Sequence, residues 1–140
     1  MGVITQATLK LIPAPETKKT VLALYEDIDS AAKTVSNIIA SKIIPTTLEF
    51  LDQPTLQVIE DFAKIGLPVH AKAVLLIEQD GTEETVNRDI SVIEEICKKG
   101  NAVSVQTAKT EAEAEDLRNA RRAALSALAR LKPTTILEDA

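Results

Sequence analysis

Apolar and polar positions change period several times along the chain, and each change marks an element. Residues 3–12 set Val3, Thr5, Ala7, Leu9 and Leu11 against Ile4, Gln6, Thr8, Lys10 and Ile12, the period-two pattern of a strand with one wetter face. Pro13-Ala14-Pro15-Glu16, followed by Lys18-Lys19, reads as a proline-stiffened connector. Thr20-Val21-Leu22-Ala23-Leu24-Tyr25 is apolar on both faces, as a strand covered on both sides is. Asp27 or Asp29 then caps a helix in which Ala32, Val35, Ile38, Ile39 and Lys42 recur every three to four residues, and Pro45 ends the pattern.

Thr46 through Leu51 predicts the next strand, and Asp52 caps a short helix with Pro54 in its first turn and a stripe of Leu56, Ile59, Phe62 and Ile65. Ala73 through Glu78 is the clearest strand, closed by the turn pair Asp80-Gly81. From Thr82 the period turns helical, with Val86, Ile90, Ile93 and Cys97 on one face. Glu83 and Glu84 suit the positive end of the helix dipole, and Lys98-Lys99-Gly100 supplies a basic last turn and a terminal glycine. Ala102 through Gln106 is a last short strand. Thr110-Glu111-Ala112-Glu113 is a capping-box pattern opening a helix that runs to about Leu131, before Pro133.

The order from Thr20 to Gln106 is strand, helix, strand, short helix, strand, helix, strand. It predicts an α+β fold: a ferredoxin-like antiparallel sheet with helices on one face, plus the N-terminal strand and a C-terminal helix. The reading divides the chain into residues 1–19, a core at 20–108, and 109–140. A strand that starts at residue 3 has no turn, cap or partner before it, and Thr134 through Asp139 is a second strand-like run at the other end. Both ends are therefore expected to continue into a larger protein.

Composition narrows the chemistry. Of 140 residues only Tyr25, Phe50 and Phe62 are aromatic, which removes the stacking platforms of single-strand or sugar recognition. A formal charge of −5 argues against a phosphate-binding surface, so no nucleic-acid partner is expected. Cys97 stands alone, so internal disulfides and cysteine-based metal sites drop out and a reducing, cytoplasmic setting fits. No apolar run approaches the roughly 20 residues of a membrane span, and no signal peptide precedes the first strand.

Few residues carry chemistry. Arg118, Arg121, Arg122, Arg130 and Lys132 gather near the C-terminus of an acidic chain. They fit a carboxylate or phosphate clamp, since a guanidinium fork matches a planar anion. They equally fit a solvated helix face paired to Glu113, Glu115 or Asp116. His70 reads as a solvated loop residue, Cys97 as a small buried hydrophobe, Asp52 as a cap, and Glu49 as a structural carboxylate near a strand end. No glycine-rich phosphate loop or nucleophile elbow is present, and no metal site is expected.

Gly2-Val3-Ile4-Thr5-Gln6-Ala7-Thr8-Leu9-Lys10-Leu11-Ile12-Pro13 resembles the stretch of FAD-linked oxidases that follows a flavin-contacting glycine turn and leads into the cap domain. Ile43-Ile44-Pro45 with Leu48-Glu49-Phe50-Leu51-Asp52 is similar to the cap domain of the glycolate oxidase and D-lactate dehydrogenase branch. So is Ala120-Arg121-Arg122-Ala123-Ala124-Leu125 with Pro133 through Asp139. The resemblance spans the chain. It implies that residues 1–19 trail from an upstream FAD-binding domain, with Gly2 near the cofactor, and that 20–108 form the cap over the isoalloxazine.

In such an enzyme a 2-hydroxy acid gives its α-hydrogen to the flavin as hydride while a base takes the hydroxyl proton. The motif puts the arginine that holds the substrate carboxylate at Arg121, with Arg122 beside it. An aromatic residue commonly stands where this chain has Arg118, and the family's histidine-rich metal and catalytic segment lies downstream, with no counterpart at His70. The chain alone is thus expected to bind FAD poorly and turn over nothing. An iron–sulfur subunit is an implied partner, and an orphaned edge strand at residues 3–12 invites a homodimer. The alternative is a free-standing ferredoxin-like module that binds a small ligand or dimerises, because the fold alone does not fix function.

Overall fold

Strands β1 (Thr17–Tyr25), β2 (Thr47–Asp52), β3 (Ala73–Gly81) and β4 (Ser104–Thr107) form one antiparallel sheet in the order β2-β3-β1-β4. Helices α1 (Ile28–Ala40), α2 (Gln53–Ala63), α3 (Glu83–Lys99) and α4 (Glu111–Leu128) alternate with them. The computed structural model describes residues 2–11 and 13–130, apart from the side chains of Ala120, Arg121, Ala123 and Leu125. The ferredoxin-like sheet read from the sequence is present. The C-terminal run at 134–139 lies outside the described residues.

The helices occupy both faces rather than one. On the first face Val21, Ala23 and Tyr25 of β1 and Ala73, Leu75 and Ile77 of β3 pack against Ala31 and Ile38 of α1 and Val86, Ile90, Ile93 and Cys97 of α3. On the second, Leu24 and Val74 meet Leu56 and Ile59 of α2, with Leu117 and Ala124 of α4 packed alongside. Strand parity explains the split: neighbours along β1 and β3 point to opposite faces, and both sets are apolar. A helix is therefore needed on each side, which is why residues 21–25 of β1 and 73–77 of β3 read as apolar on both faces.

The N-terminal strand is not formed. Residues 2–11 take no regular structure, and Val3, Ile4, Leu9 and Leu11 are 78–90% exposed. The four strands pair only among themselves, so this stretch has neither a ladder partner nor a covering surface, and alternation alone does not hold a strand in water. The sheet edges are β2 and β4.

The caps follow the sequence closely. Asp27 accepts the N–H of Ser30 at 2.7 Å and Asp52 that of Thr55 at 3.0 Å, each satisfying a donor the first helical turn leaves open. Thr110 accepts the N–H of Glu113 at 3.2 Å, while the Glu113 carboxylate reaches back to the N–H of Lys109 at 2.8 Å. Gly100 differs from expectation. Its φ is −82°, and the left-handed residue is the next one, Asn101, at φ 64°. Gly100 is needed for room instead: an added Cβ would stand 2.1 Å from the Thr34 hydroxyl oxygen.

Candidate functional site

The second face carries the charged chemistry. Glu78 ends the inward-pointing set Val74, Leu76, Glu78 on central strand β3 and is only 7% exposed. Its register partners are Thr20 on β1 and Thr47 on β2. Both hydroxyls donate to the carboxylate, Thr20 to Oε1 at 3.1 Å and Thr47 to Oε2 at 3.2 Å. A carboxylate so far out of water needs a positive partner as well as hydrogen bonds. Arg118 of α4 supplies it: Nη1 donates to Glu78 Oε1 at 3.1 Å, and Arg118 is itself 8% exposed.

The rest of the guanidinium is committed along its own helix. Nε donates to Glu115 Oε2 at 2.9 Å, and Nη2 donates to Glu115 at 2.6 Å and to Glu111. Burial opposes the Arg118 charge, but hydrogen bonds to Glu115, Glu78 and Glu111 outweigh it and hold its pKa above the ordinary arginine value. The same hydrogen bond, backed by the charges of Arg118 and Arg122, pulls the Glu115 carboxyl below its ordinary value. Glu115 also accepts from Arg122 Nη1 at 3.1 Å, which donates in turn to Asn119 at 3.2 Å.

The five-cation cluster thus splits. Arg118 is an internal tie and not a surface clamp. Arg122 is exposed and paired on the helix surface. Arg130 lies over the Phe62 ring, 4.5 Å from its centroid, a cation–π contact tying the end of α4 to α2. Arg121 belongs to α4, but its side chain, like Lys132, lies outside the described residues.

Beside the tie is a cleft of about 650 Å³ between the sheet, the loop after α2 and the start of α4. Its floor is Leu22 and the paired Gln106 of β4, and Lys109, Glu113 and Asp116 stand on its α4 side. The loop wall is tied to α2: Glu60 accepts the N–H groups of Leu67 at 2.8 Å and Gly66 at 3.0 Å. Those backbone bonds, Leu67 first, hold the Glu60 carboxyl below its ordinary value. Gly66 has φ 81°, where a side chain would be strained. Two carboxylates against one lysine make this cleft a poor seat for the pyrophosphate of FAD.

The remaining candidates lie apart from this cleft. His70 is exposed in the turn before β3. Cys97 is fully buried in the first-face core, and burial pushes its thiol pKa up. Asp52 is the α2 cap, Glu49 is half-buried on β2 opposite Leu76, and Gly2 is exposed. Among the described residues no group of three or more histidine, cysteine or carboxylate side chains could hold a metal ion. No described helix is long and apolar enough to cross a membrane. The sequence reading missed Glu78. Its parity with Val74 and Leu76 on a strand covered on both sides was the available signal: a charge there demands a buried cation.

Comparison with known proteins agrees with the sequence resemblance. Residues 14–140 match the family model described as FAD linked oxidases, C-terminal domain. Over all 140 residues the chain is 76% identical to glycolate oxidase subunit GlcD of Bacillus subtilis, of which it spans 30%. It is 38% identical over 133 residues to the Escherichia coli K12 protein of the same name, covering 95% of this chain and 27% of that one. A D-lactate dehydrogenase of Anaerostipes hadrus is 31% identical over 148 residues, which cover 99% of this chain and 30% of that one. The chain therefore spans about 30% of the length of these relatives. Among solved structures, alkyldihydroxyacetonephosphate synthase superposes with a TM-score of 0.62 at 14% identity, over 84% of this chain and 24% of that one, a likeness of fold. The chain belongs to the FAD linked oxidase family, as its C-terminal domain type.

Proposed function

We propose that this chain is the substrate-facing cap of a FAD-linked 2-hydroxy acid oxidase or dehydrogenase, of the glycolate or D-lactate type. The observation that carries the reading is 76% identity, without a break in coverage of this chain, to a protein named as a glycolate oxidase subunit. The redox step belongs to a flavin held outside the described residues, with Gly2 at the approach to it. Residues 1–19 act as the lead-in, 20–108 as the cap, and 109–140 as the helix and the segment that follows. The chain on its own turns over nothing.

The task assigned to this chain is to hold and orient the substrate carboxylate. Arg121 is the residue the family motif selects. The commitment of Arg118 to three carboxylates and of Arg122 to Glu115 and Asn119 argues against either as the main ligand. Arg122, exposed one residue on, adds positive field. A bidentate guanidinium hold on the carboxylate fixes which hydrogen of the α-carbon is presented for removal. An iron–sulfur subunit as electron acceptor and a cytoplasmic location complete the reading, the latter supported by a lone cysteine kept as a buried free thiol.

The test is spectroscopic. The FAD-loaded enzyme containing this domain, mixed anaerobically with glycolate or D-lactate, should lose its oxidised-flavin absorbance. Ethylene glycol, which lacks the carboxylate, should not bleach it at the same concentration. Absence of bleaching by both acids contradicts the proposal.

A further inference from the structure

The Arg118–Glu78 tie has a consequence for α4 beyond holding the fold. Helix α4 packs chiefly against α2, and its described inward side chains are mostly small: Ala114 and Ala127 are buried, and Ala124 packs against the second-face core with Leu117. Alanines fix how close a helix approaches but present shallow ridges, so they constrain its rotation and axial register weakly. Arg118 is different. It is the long, buried α4 side chain among those described that reaches the sheet, and its target is held by hydroxyls from both neighbouring strands. On the helix side Glu115, one turn back, grips Nε and Nη2. The guanidinium is thus fixed to the sheet at one edge and to α4 at the other.

We propose that Arg118 and Glu78 are positioning residues that set the register of α4 on the sheet and thereby place Arg121 for the substrate carboxylate. This rests on the function proposed above. Arg121 follows Arg118 by three residues, a rise of about 4.5 Å along the same helix, so a slip or turn of α4 moves both together. Positioning errors of about 1 Å can cost on the order of 100-fold in rate. Arg118 itself is not a substrate ligand, because its four hydrogen bonds already go to protein carboxylates. The assignment explains why an acidic residue sits under α4 on a central strand, where an apolar one would pack as well.

The experiment uses the full-length, FAD-loaded enzyme. Glu78→Gln keeps the shape and the threonine contacts but removes the charge, and Arg118→Met removes the tie. Steady-state kinetics with glycolate are measured well below each variant's Tm, with FAD content matched. The expected result is a KM raised tenfold or more in Glu78→Gln and Arg118→Met, with a smaller change in kcat. The double variant should be no worse than Arg118→Met alone. If Arg118→Met does not fold, Glu78→Gln decides the matter. A lowered Tm with KM unchanged in Glu78→Gln overturns the proposal and leaves a purely structural ion pair. Arg121→Gln in the same assay separates the two claims. Should it raise KM while Glu78→Gln does not, only the positioning role falls. Should Arg121→Gln leave KM unchanged, the substrate-holding role falls and the positioning role with it.

Discussion

On the first face of the sheet, Tyr25, Leu75 and Ile77 meet Ile38, Val86 and Ile93 in a packed apolar cluster, and Gln79 of β3 donates to the buried Asp89 of α3 at 3.0 Å. On the second face the same two central strands present Thr20 and Glu78, and α4 answers with Arg118. The first face is held mostly by shape, and the second is keyed by an ion pair that spans helix and sheet. Apolar packing tolerates small slides, because dispersion and burial are not directional. A buried ion pair does not, because removing either partner strands the other charge out of water. The difference lies in the key: the buried tie from α3 to the sheet is a hydrogen bond from a neutral amide, whereas that from α4 is a buried ion pair.

The largest break in that comparison should come from Arg118→Met. Leaving Glu78 buried without its cation is expected to cost about 3–5 kcal/mol in urea unfolding, whereas Arg118→Met with Glu78→Leu should recover most of the loss. A loss under about 1 kcal/mol for the single variant would show that the tie behaves like an exposed pair. Next comes Gly100→Ala, on the first face, where the new Cβ would stand 2.1 Å from the Thr34 hydroxyl oxygen. Overpacking of this kind costs about 1–3 kcal/mol, and Thr34→Ala in the same chain should relieve it. If the double variant stays as unstable as Gly100→Ala, steric crowding is the wrong cause.

Ile93→Val, a one-methylene deletion in the fully buried first-face core, should cost about 0.5–1.5 kcal/mol with no change in how stability varies with pH. The smallest effect sharpens the charge side. Glu115 has its folded pKa pulled below its ordinary 4.5 by the hydrogen bond to Arg118. Its contribution is therefore complete above about pH 4.5 and fades as pH falls through the folded value. Thermal melts from pH 6 to pH 3 should show Glu115→Gln flattening part of the acid-side fall in Tm. An unchanged slope would mean the carboxylate gains nothing from its arginines. The half-exposed position of Glu115 keeps the effect modest.

The contrast also explains what could be read from sequence. The first face was legible because apolar period and a capping residue such as Asp27 are local signals. The sheet order followed from element order alone. The second helical layer was harder, since nothing local to α2 says which face it returns to; only the doubly apolar parity of β1 and β3 does. The N-terminal alternation of Val3 to Leu11 misled, because a strand needs a partner and period two does not supply one. Arg118 read as part of a surface cluster. Its burial depends on Glu78, forty residues earlier in the chain, and such a long-range pairing leaves no periodic trace. Gly100 matched a helix-end pattern for a different reason, the bulk of Thr34 across the α1–α3 contact.

The most direct check on the account is the reductive half-reaction of the full-length enzyme with Arg121→Gln, followed by rapid mixing of the oxidised flavoprotein with increasing glycolate. If α4 holds the substrate carboxylate, the glycolate concentration giving half the limiting rate of flavin reduction should rise at least tenfold, with Tm and FAD content unchanged. An unaltered concentration dependence would contradict the account, and the carboxylate would have to be held by some other part of the enzyme.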